Sequence, residues 1–421
     1  MSKILKVLML CDHDSKLSGH IQNDYLNMPD SVEAHMVTLE GLYRKTEYCY
    51  YYRSNFNSIL SLLFHRLWRF FYCLIKLGCF LKIDKTHGEY CYMDFEYYPY
   101  SAKSILRKCP TGFVPDIIAV YWTQGFISSR VVNELYKITK AKIVYILVDE
   151  AALTGGCHYP NECKAFLKEC DNCPALIRGK KLASKQLMER RMNLADIPLY
   201  IYGVPFDLRI ASKTKTFCNA KQIPLVKKPE VIRTSKSDAR KNIGLPENGF
   251  VVMVGSARRY DVRKGVVYSI EALNQLEKCI PNLIVLSAGN APLQGLSESI
   301  RHKSLGFVDM NHLFEAFCAS DCFLSTTIAD SGPMMVNFSI ALGIPVISFP
   351  IGIAADLVIH KETGFLAKFK DVSDIKEGIM FMSLRDEALK QSMYKRCIDL
   401  MEEIGTNGCW IDYFIDYENR K

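Results

Sequence analysis

Residues Ser325–Gly352 read STTIADSGPMMVNFSIALGIPVISFPIG, and Glu362–Ala367 follow as ETGFLA. Cys322–Ser325 is a short apolar run ending in polar residues, the pattern of a buried strand. Asp330-Ser331-Gly332-Pro333 is turn chemistry, and the apolar stretch behind it predicts a helix that stops at Gly343. A second strand is expected from Pro345 through Ser348. Strand, turn, helix and strand in that order indicate an α/β unit. A helix opening at the carboxyl end of a parallel strand points unpaired backbone N–H groups outward, which favours a phosphate. The plain alternative is an ordinary α/β turn.

The same alternation extends outward from this stretch. Buried-strand runs recur at Ile117–Val120, Ile143–Val148, Val251–Val254 and Leu283–Leu286, and Lys3–Leu10 reads as a first strand. Amphipathic segments lie between, at Val266–Leu276 and Met310–Ala319, so parallel sheets are expected. At 421 residues the chain exceeds what one core usually serves, and the Pro-, Lys- and Ser-rich stretch Ile223–Ser237 is the natural seam, with a fresh helix near Asp238. The expected division is 1–228, 229–395, and a terminal helix over 396–421 that packs back on the first domain.

Composition narrows the function classes. Hydrophobic content of 49% and charged content of 23% are those of an ordinary globular protein. The net charge of +8 is spread along the chain, consistent with a solvated basic surface or with attraction to anionic substrates or membranes. No zinc finger, RNP motif or basic helix is present, which argues against nucleic acid as a partner. The opening strand is too short and interrupted for a secretory signal, so a cytoplasmic protein with reduced thiols is expected. In Asn55–Ile83, Leu60, Leu63, Phe64, Leu67, Phe71, Leu74 and Ile75 are apolar, and Arg66, Arg69 and Lys76 fall on one helical stripe. This is either a helix docked on its domain or one lying in an anionic membrane interface.

The C-terminal stretch resembles retaining glycosyltransferases of family 4, which have the GT-B fold of two Rossmann-like domains facing across a cleft. Asp330, Ala341, Gly343, Pro345, Val346, Gly364 and Leu366 match that family's acidic turn, helix and Gly-x-Leu strand. Upstream, Gly255 through Gly265, GSARRYDVRKG, matches its glycine, arginine and Lys-Gly loop. The resemblance implies that Arg258 or Arg259, with Arg263 and Lys264, holds a nucleotide-sugar diphosphate and offsets charge on the leaving group. It likewise places Ser331, Gly332, Met334, Met335 and Phe338 around the donor, with Lys264 and Asp330 among the catalytic residues and no metal required for catalysis.

The N-terminal half is similar to a polysaccharide-building branch of that family. Tyr121–Ser128, YWTQGFIS, resembles its His-Trp strand and loop, and Asp149 followed by Leu153–Tyr159, LTGGCHY, resembles its Asp-x4-Thr-Gly-Gly-Cys-His-Tyr segment. Trp122, Thr154 and Gly155 are thereby placed on the acceptor side, with Asp149 catalytic. Within the loop 154–176, Cys157, Cys163, Cys170 and Cys173 are spaced C-x5-C-x6-C-x2-C. They are candidates for a structural zinc site, the alternative being thiols that serve the loop alone.

Two family positions differ. The histidine before Asp149 is Val148 here, and the second acidic residue, which grips the donor ribose, falls at Phe338, which accepts no hydrogen bond. The implied activity is sugar transfer, with retention, from a nucleotide-sugar to a lipid-linked polysaccharide acceptor, by a cytoplasmic protein at the inner face of the membrane. The alternative is a catalytically degenerate relative that binds a glycan or scaffolds a partner.

Overall fold

Val7 to Cys11 are wholly buried, as are Val251 to Met253, so these runs are strands covered on both faces, the environment of a parallel sheet. The computed structural model describes residues 4–13, 19–40, 49–51, 67, 90, 92, 96, 98, 100–123, 125–177, 179–255, 261–289, 293–406 and 408–419. One sheet contains β1 (Leu5–His13), β2 (Val32–Glu40), β3 (Cys49–Tyr51), β4 (Ile117–Val120), β5 (Lys142–Ile146), β6 (Leu199–Gly203) and β7 (Lys221–Pro224). The second contains β8 (Phe250–Gly255), β9 (Leu283–Ala288), β10 (Arg301–Ser304), β11 (Cys322–Ser325), β12 (Val346–Ser348) and β13 (Gly364–Leu366).

The strand orders are β3-β2-β1-β4-β5-β6-β7 and β10-β9-β8-β11-β12-β13, with every pairing parallel. Both are doubly wound. Their order reverses between β1 and β4 and between β8 and β11, where the carboxyl ends of neighbouring strands part and leave a crevice. Registers such as Val7↔Ile117 and Cys322↔Val252 fix those two junctions. The α/β expectation is borne out in both halves.

Contact clustering divides the chain into two compact units. The first takes in Met1–Gly203, Asp207–Pro224 and Gly408–Lys421, and the second Val204–Phe206 and Leu225–Asn407. Helices Val372–Ser383 and Glu387–Ile404 fall in the second unit, and helix Trp410–Asn419 in the first.

Several boundaries differ from the sequence expectation for local reasons. Pro345 has no N–H to give a ladder, so β12 begins at Val346, although the Pro345 carbonyl still accepts from Phe323 N at 2.9 Å. The preceding helix spans Met334–Ala341, and the chain leaves it through Gly343 at φ +86, a left-handed exit that glycine permits. Helix Lys236–Ile243 starts earlier than Asp238 because Ser235 caps it, its side chain accepting from Asp238 N. β5 stops at Ile146, short of Val148. The basic stripe of Arg66, Arg69 and Lys76 lies outside the described residues. Among the described residues no helix is long and apolar enough to cross a membrane.

Helix Trp410–Asn419 is tied to the first unit by fully buried side chains, Trp410 and Phe414 among them. Trp410 Nε1 donates to the Tyr121 hydroxyl at 2.7 Å, and that hydroxyl donates to Asp24 Oδ2 at 2.7 Å. Phe414 packs edge-on to Tyr200, ring centroids 5.0 Å apart. Trp410→Ala should therefore cost the first unit about 3–5 kcal/mol. Urea unfolding followed by circular dichroism reads this directly, and an unchanged midpoint would show that the helix contributes nothing to the unit.

Candidate functional site

At the crevice of the second sheet, three chain segments are sewn together. β8 ends at Gly255, where an added Cβ would meet Met335 Cε at 2.7 Å, so the end of this strand and helix Met334–Ala341 approach closely. Arg258 and Arg259 lie outside the described residues. Past them, Asp261 caps the turn Val262–Lys264 by accepting from Arg263 N at 3.1 Å. Its carboxylate also binds the Arg263 guanidinium at 2.6 Å. Arg263, expected at the donor, therefore braces its own loop.

Gly265 follows at φ +58, and a Cβ there would stand 2.0 Å from the Thr326 carbonyl oxygen. Only glycine allows this approach. The Thr326 hydroxyl donates to the Gly265 carbonyl at 2.8 Å, and Ile328 N donates to the Arg263 carbonyl at 2.8 Å. The Lys-Gly turn is thereby fixed to the exit of β11. This places the Lys264 ammonium in an ion pair with Asp330, both side chains half-buried.

Asp330 also accepts from Gly332 N at 3.3 Å, shaping the turn that opens helix Met334–Ala341. Gly352, at φ +55, supports the turn from behind, where a Cβ would fall 2.4 Å from the Asp330 carbonyl oxygen. The helix has no side-chain cap among the described residues; Val336 N donates to the Pro333 carbonyl at 2.8 Å, which leaves the N–H groups of Met334 and Met335 ahead of it uncapped. Ser331 is 4% exposed, and its hydroxyl is buried without a partner among the described residues. A hydroxyl left so is either a cost or a contact reserved for a ligand. Met334 and Met335 are half-buried beside it. Phe338 turns into the hydrophobic cluster, edge-on to Phe314 with centroids 5.4 Å apart.

In the first unit, Asp149 follows β5 and is buried. Its Oδ1 accepts from Ala151 N at 2.8 Å, and its Oδ2 lies 2.6 Å from His158 Nδ1. Trp122 Nε1 is 3.1 Å from the same ring nitrogen, with the indole edge-on to the imidazole. One ring nitrogen carries either a proton or a lone pair, and the shorter, charge-assisted contact makes it a donor to Asp149. Sequence reading missed His158 as the partner of Asp149, its only signal being its place beside Cys157. The cavity lined by Trp122, Asp149 and His158 has a volume of about 40 Å³, room enough for water.

Thr154 and Gly155 have structural duties. The Thr154 hydroxyl donates to the Cys157 carbonyl at 2.6 Å, and a Cβ on Gly155 would stand 2.2 Å from the Ala183 carbonyl oxygen. Cys157, Cys163, Cys170 and Cys173 line one small pocket of about 10 Å³. Among the described residues no group of three or more His, Cys, Asp or Glu is arranged to hold a metal ion. The sulfurs also have protein partners. The Cys157 thiol and the N–H groups of Ala175 and Leu176 hydrogen-bond to Cys173 and bring its thiol down to about 7, and Gly155 N–H serves Cys170.

Gly265→Ala is the sharpest test of the Lys-Gly turn. The left-handed φ alone should cost about 1 kcal/mol, and the clash with Thr326 should add to it. Denaturant unfolding of the second unit should show the loss; a variant as stable as the parent would mean that the turn is free to move.

The comparisons with known proteins bear on both units. Residues 235–398 match the family model described as "Glycosyl transferases group 1". No curated protein gives a significant match to the chain. Among solved structures, the chain is similar to HepE of Anabaena in complex with UDP, with TM-score 0.60 and 15% identity over 95% of this chain and 96% of that one. It is similar to a glycosyltransferase from Rickettsia africae, with TM-score 0.58 and 12% identity over 100% and 99% of the two chains. Sucrose-phosphate synthase from Thermosynechococcus elongatus gives TM-score 0.57 and 13% identity over 95% and 94%. At these identities the structures speak for the fold. The chain has the GT-B fold, and its residues 235–398 are similar to the group 1 glycosyl transferases.

Proposed function

We propose that the chain is a retaining glycosyltransferase that takes a nucleotide-sugar donor in its second unit. The observation that carries this reading is the assembly at the crevice beside β11: Lys264 on a glycine-fixed turn, Asp330 paired with it, the unpartnered Ser331 hydroxyl, and an uncapped helix opening. A diphosphate suits three of these, and Asp330 orients the ammonium for it. Lys264 supplies positive charge, the helix opening supplies N–H donors, and Ser331 supplies one more hydroxyl. As the bond from the anomeric carbon to the diphosphate breaks, negative charge gathers on the leaving phosphate, where Lys264 stabilises it. Asp330 holds the ammonium in place before the donor arrives and accepts from a sugar hydroxyl afterwards. Asp149 belongs to the acceptor side. The solved relative that binds UDP makes a uridine diphosphate donor the first to try.

The acceptor we assign is a lipid-linked polysaccharide intermediate met at an anionic membrane surface. Support comes from the resemblance of Tyr121–Ser128 and Leu153–Tyr159 to a polysaccharide-building branch, and from the net charge of +8. A second reading, a degenerate relative that binds without turnover, is favoured by one observation. Phe338 stands where the ribose-gripping acid is expected and packs against Phe314.

Calorimetry with UDP tests the donor site. Lys264→Ala should weaken binding at least tenfold, about 1.4 kcal/mol, and an equal affinity in the variant would refute the assignment. Phe338→Glu separates the two readings. In a working transferase that already holds its donor by phosphate, a buried carboxylate near the diphosphate should weaken UDP and slow UDP release from UDP-glucose. UDP-glucose turnover present only in the variant would establish the degenerate reading.

A further inference from the structure

The loop between Asp149 and His158 has almost no regular structure of its own, yet its carbonyls are held from below by one buried side chain. Arg190, 3% exposed on helix Lys181–Leu194, donates through Nη1 to the carbonyls of Ala151 at 2.6 Å, Ala152 at 3.1 Å and Thr154 at 2.5 Å. Its Nε donates to Glu96 Oε1 at 2.6 Å, and Glu96 is itself 5% exposed. Glu96 Oε2 in turn accepts from Ser129 N at 2.8 Å, and Glu96 N donates to Gln186 Oε1 at 3.1 Å. Gln186 Nε2 reaches the Tyr92 hydroxyl at 2.8 Å, which donates to the Gly155 carbonyl at 3.1 Å.

Two side chains of one helix, one turn apart, thus hold the carbonyls of Ala151, Ala152, Thr154 and Gly155. A guanidinium suits this task because its planar fork can face Glu96 with one edge and several carbonyls with another. A lysine ammonium is a point charge and cannot span both sets. A buried ion pair is weak evidence of stability in itself, since desolvation offsets much of its attraction. Here its geometry serves the loop: the ends of the clamped segment are Asp149, whose Oδ1 takes Ala151 N, and His158, whose carbonyl takes Glu150 N at 3.0 Å.

We propose that Arg190, oriented by Glu96, is a positioning residue that sets the Asp149–His158 pair and, through it, the Trp122 indole. This rests on the reading of Asp149 as an acceptor-side residue of a transferase. Rigid support beneath a reacting group fixes its angle and distance to substrate, and a small displacement there is felt in turnover more than in donor binding.

The test uses the full chain and two variants. Arg190→Met with Glu96→Met removes both charges together, so neither is left buried alone, while Arg190→Lys keeps the charge and loses the fork. In both, amide hydrogen exchange at Glu150 and Ala151 should quicken at least tenfold, with β4 and β5 still protected and circular dichroism unchanged. The Trp122 indole resonance should shift. UDP affinity should stay at the parental value while UDP release from UDP-glucose slows at least tenfold. Parental exchange at Glu150 and Ala151 in a folded double variant would overturn the proposal. So would full recovery of exchange and turnover by Arg190→Lys, which would show that charge alone matters. If the parent protein releases no UDP from UDP-glucose, the transferase reading fails for that donor and the exchange data decide the role of Arg190 by themselves.

Discussion

Two backbones approach closely at Gly265 in the second unit, and the candidate donor site depends on it. With no Cβ at that position, the Lys-Gly turn lies against the Thr326 carbonyl, and its own carbonyls at Gly265 and Arg263 accept from the Thr326 hydroxyl and from Ile328 N. Lys264, next in the chain, is carried along to Asp330. Gly352 does the same on the other side of Asp330 and Ser331, with Ile353 N bonded to the Ser331 carbonyl at 3.0 Å. Two glycines on either flank therefore fix a turn that has little helix or strand of its own. Backbone placed so costs nothing to reorganise when a charged ligand arrives.

The first unit reaches the same end by other means. Its loop is held by charge buried among carbonyls, Arg190 with Glu96, and not by close backbone packing alone. The second unit uses a comparable device for its frame. Asp321, just before β11, takes the Arg240 guanidinium at 2.8 Å, Val251 N at 2.7 Å and the Lys236 ammonium. One carboxylate thus joins helix Lys236–Ile243 to the entries of β8 and β11. Each such group is tolerable in the interior because every acceptor has a donor facing it. Removing a single partner would leave a buried charge alone, so these hubs hold their surroundings in one arrangement.

What the sequence disclosed follows from this physics. Strands buried on both faces are written as runs of β-branched and apolar residues, so β4, β8, β9 and β11 were legible. β10 was not, because Arg301–Ser304 is a half-exposed edge strand with no apolar pattern. The Lys-Gly turn and the Asp330 turn were legible because glycine at a tight approach leaves few other residues possible. The partner of Asp149 and the support beneath it were hidden. His158 sits within a cysteine-rich loop, and Glu96 lies 94 residues from Arg190, so neither local period nor spacing brings them together. Spacing reports which thiols can meet, not how they are arranged once they do.

Phe338 bears most directly on chemistry. An acid there would have been a hydrogen-bond acceptor at the ribose; phenylalanine offers only a ring edge, and that edge is committed to Phe314. The next residue back, Asn337, is 5% exposed and spends its amide on the Lys227 carbonyl at 3.1 Å, leaving its Oδ1 without a protein partner. Helix Met334–Ala341 therefore presents little polar grip beyond its first turn. Recognition at this crevice must rest on the part of the donor that lies at the helix opening, where Lys264, Ser331 and the free N–H groups are gathered. In the proposed donor complex a diphosphate meets them all at once, and the nucleoside and sugar are left with little polar grip from this helix. Binding built this way draws its strength from charge and is tolerant of changes in the ribose, which is the physical consequence of having phenylalanine where an acid is expected.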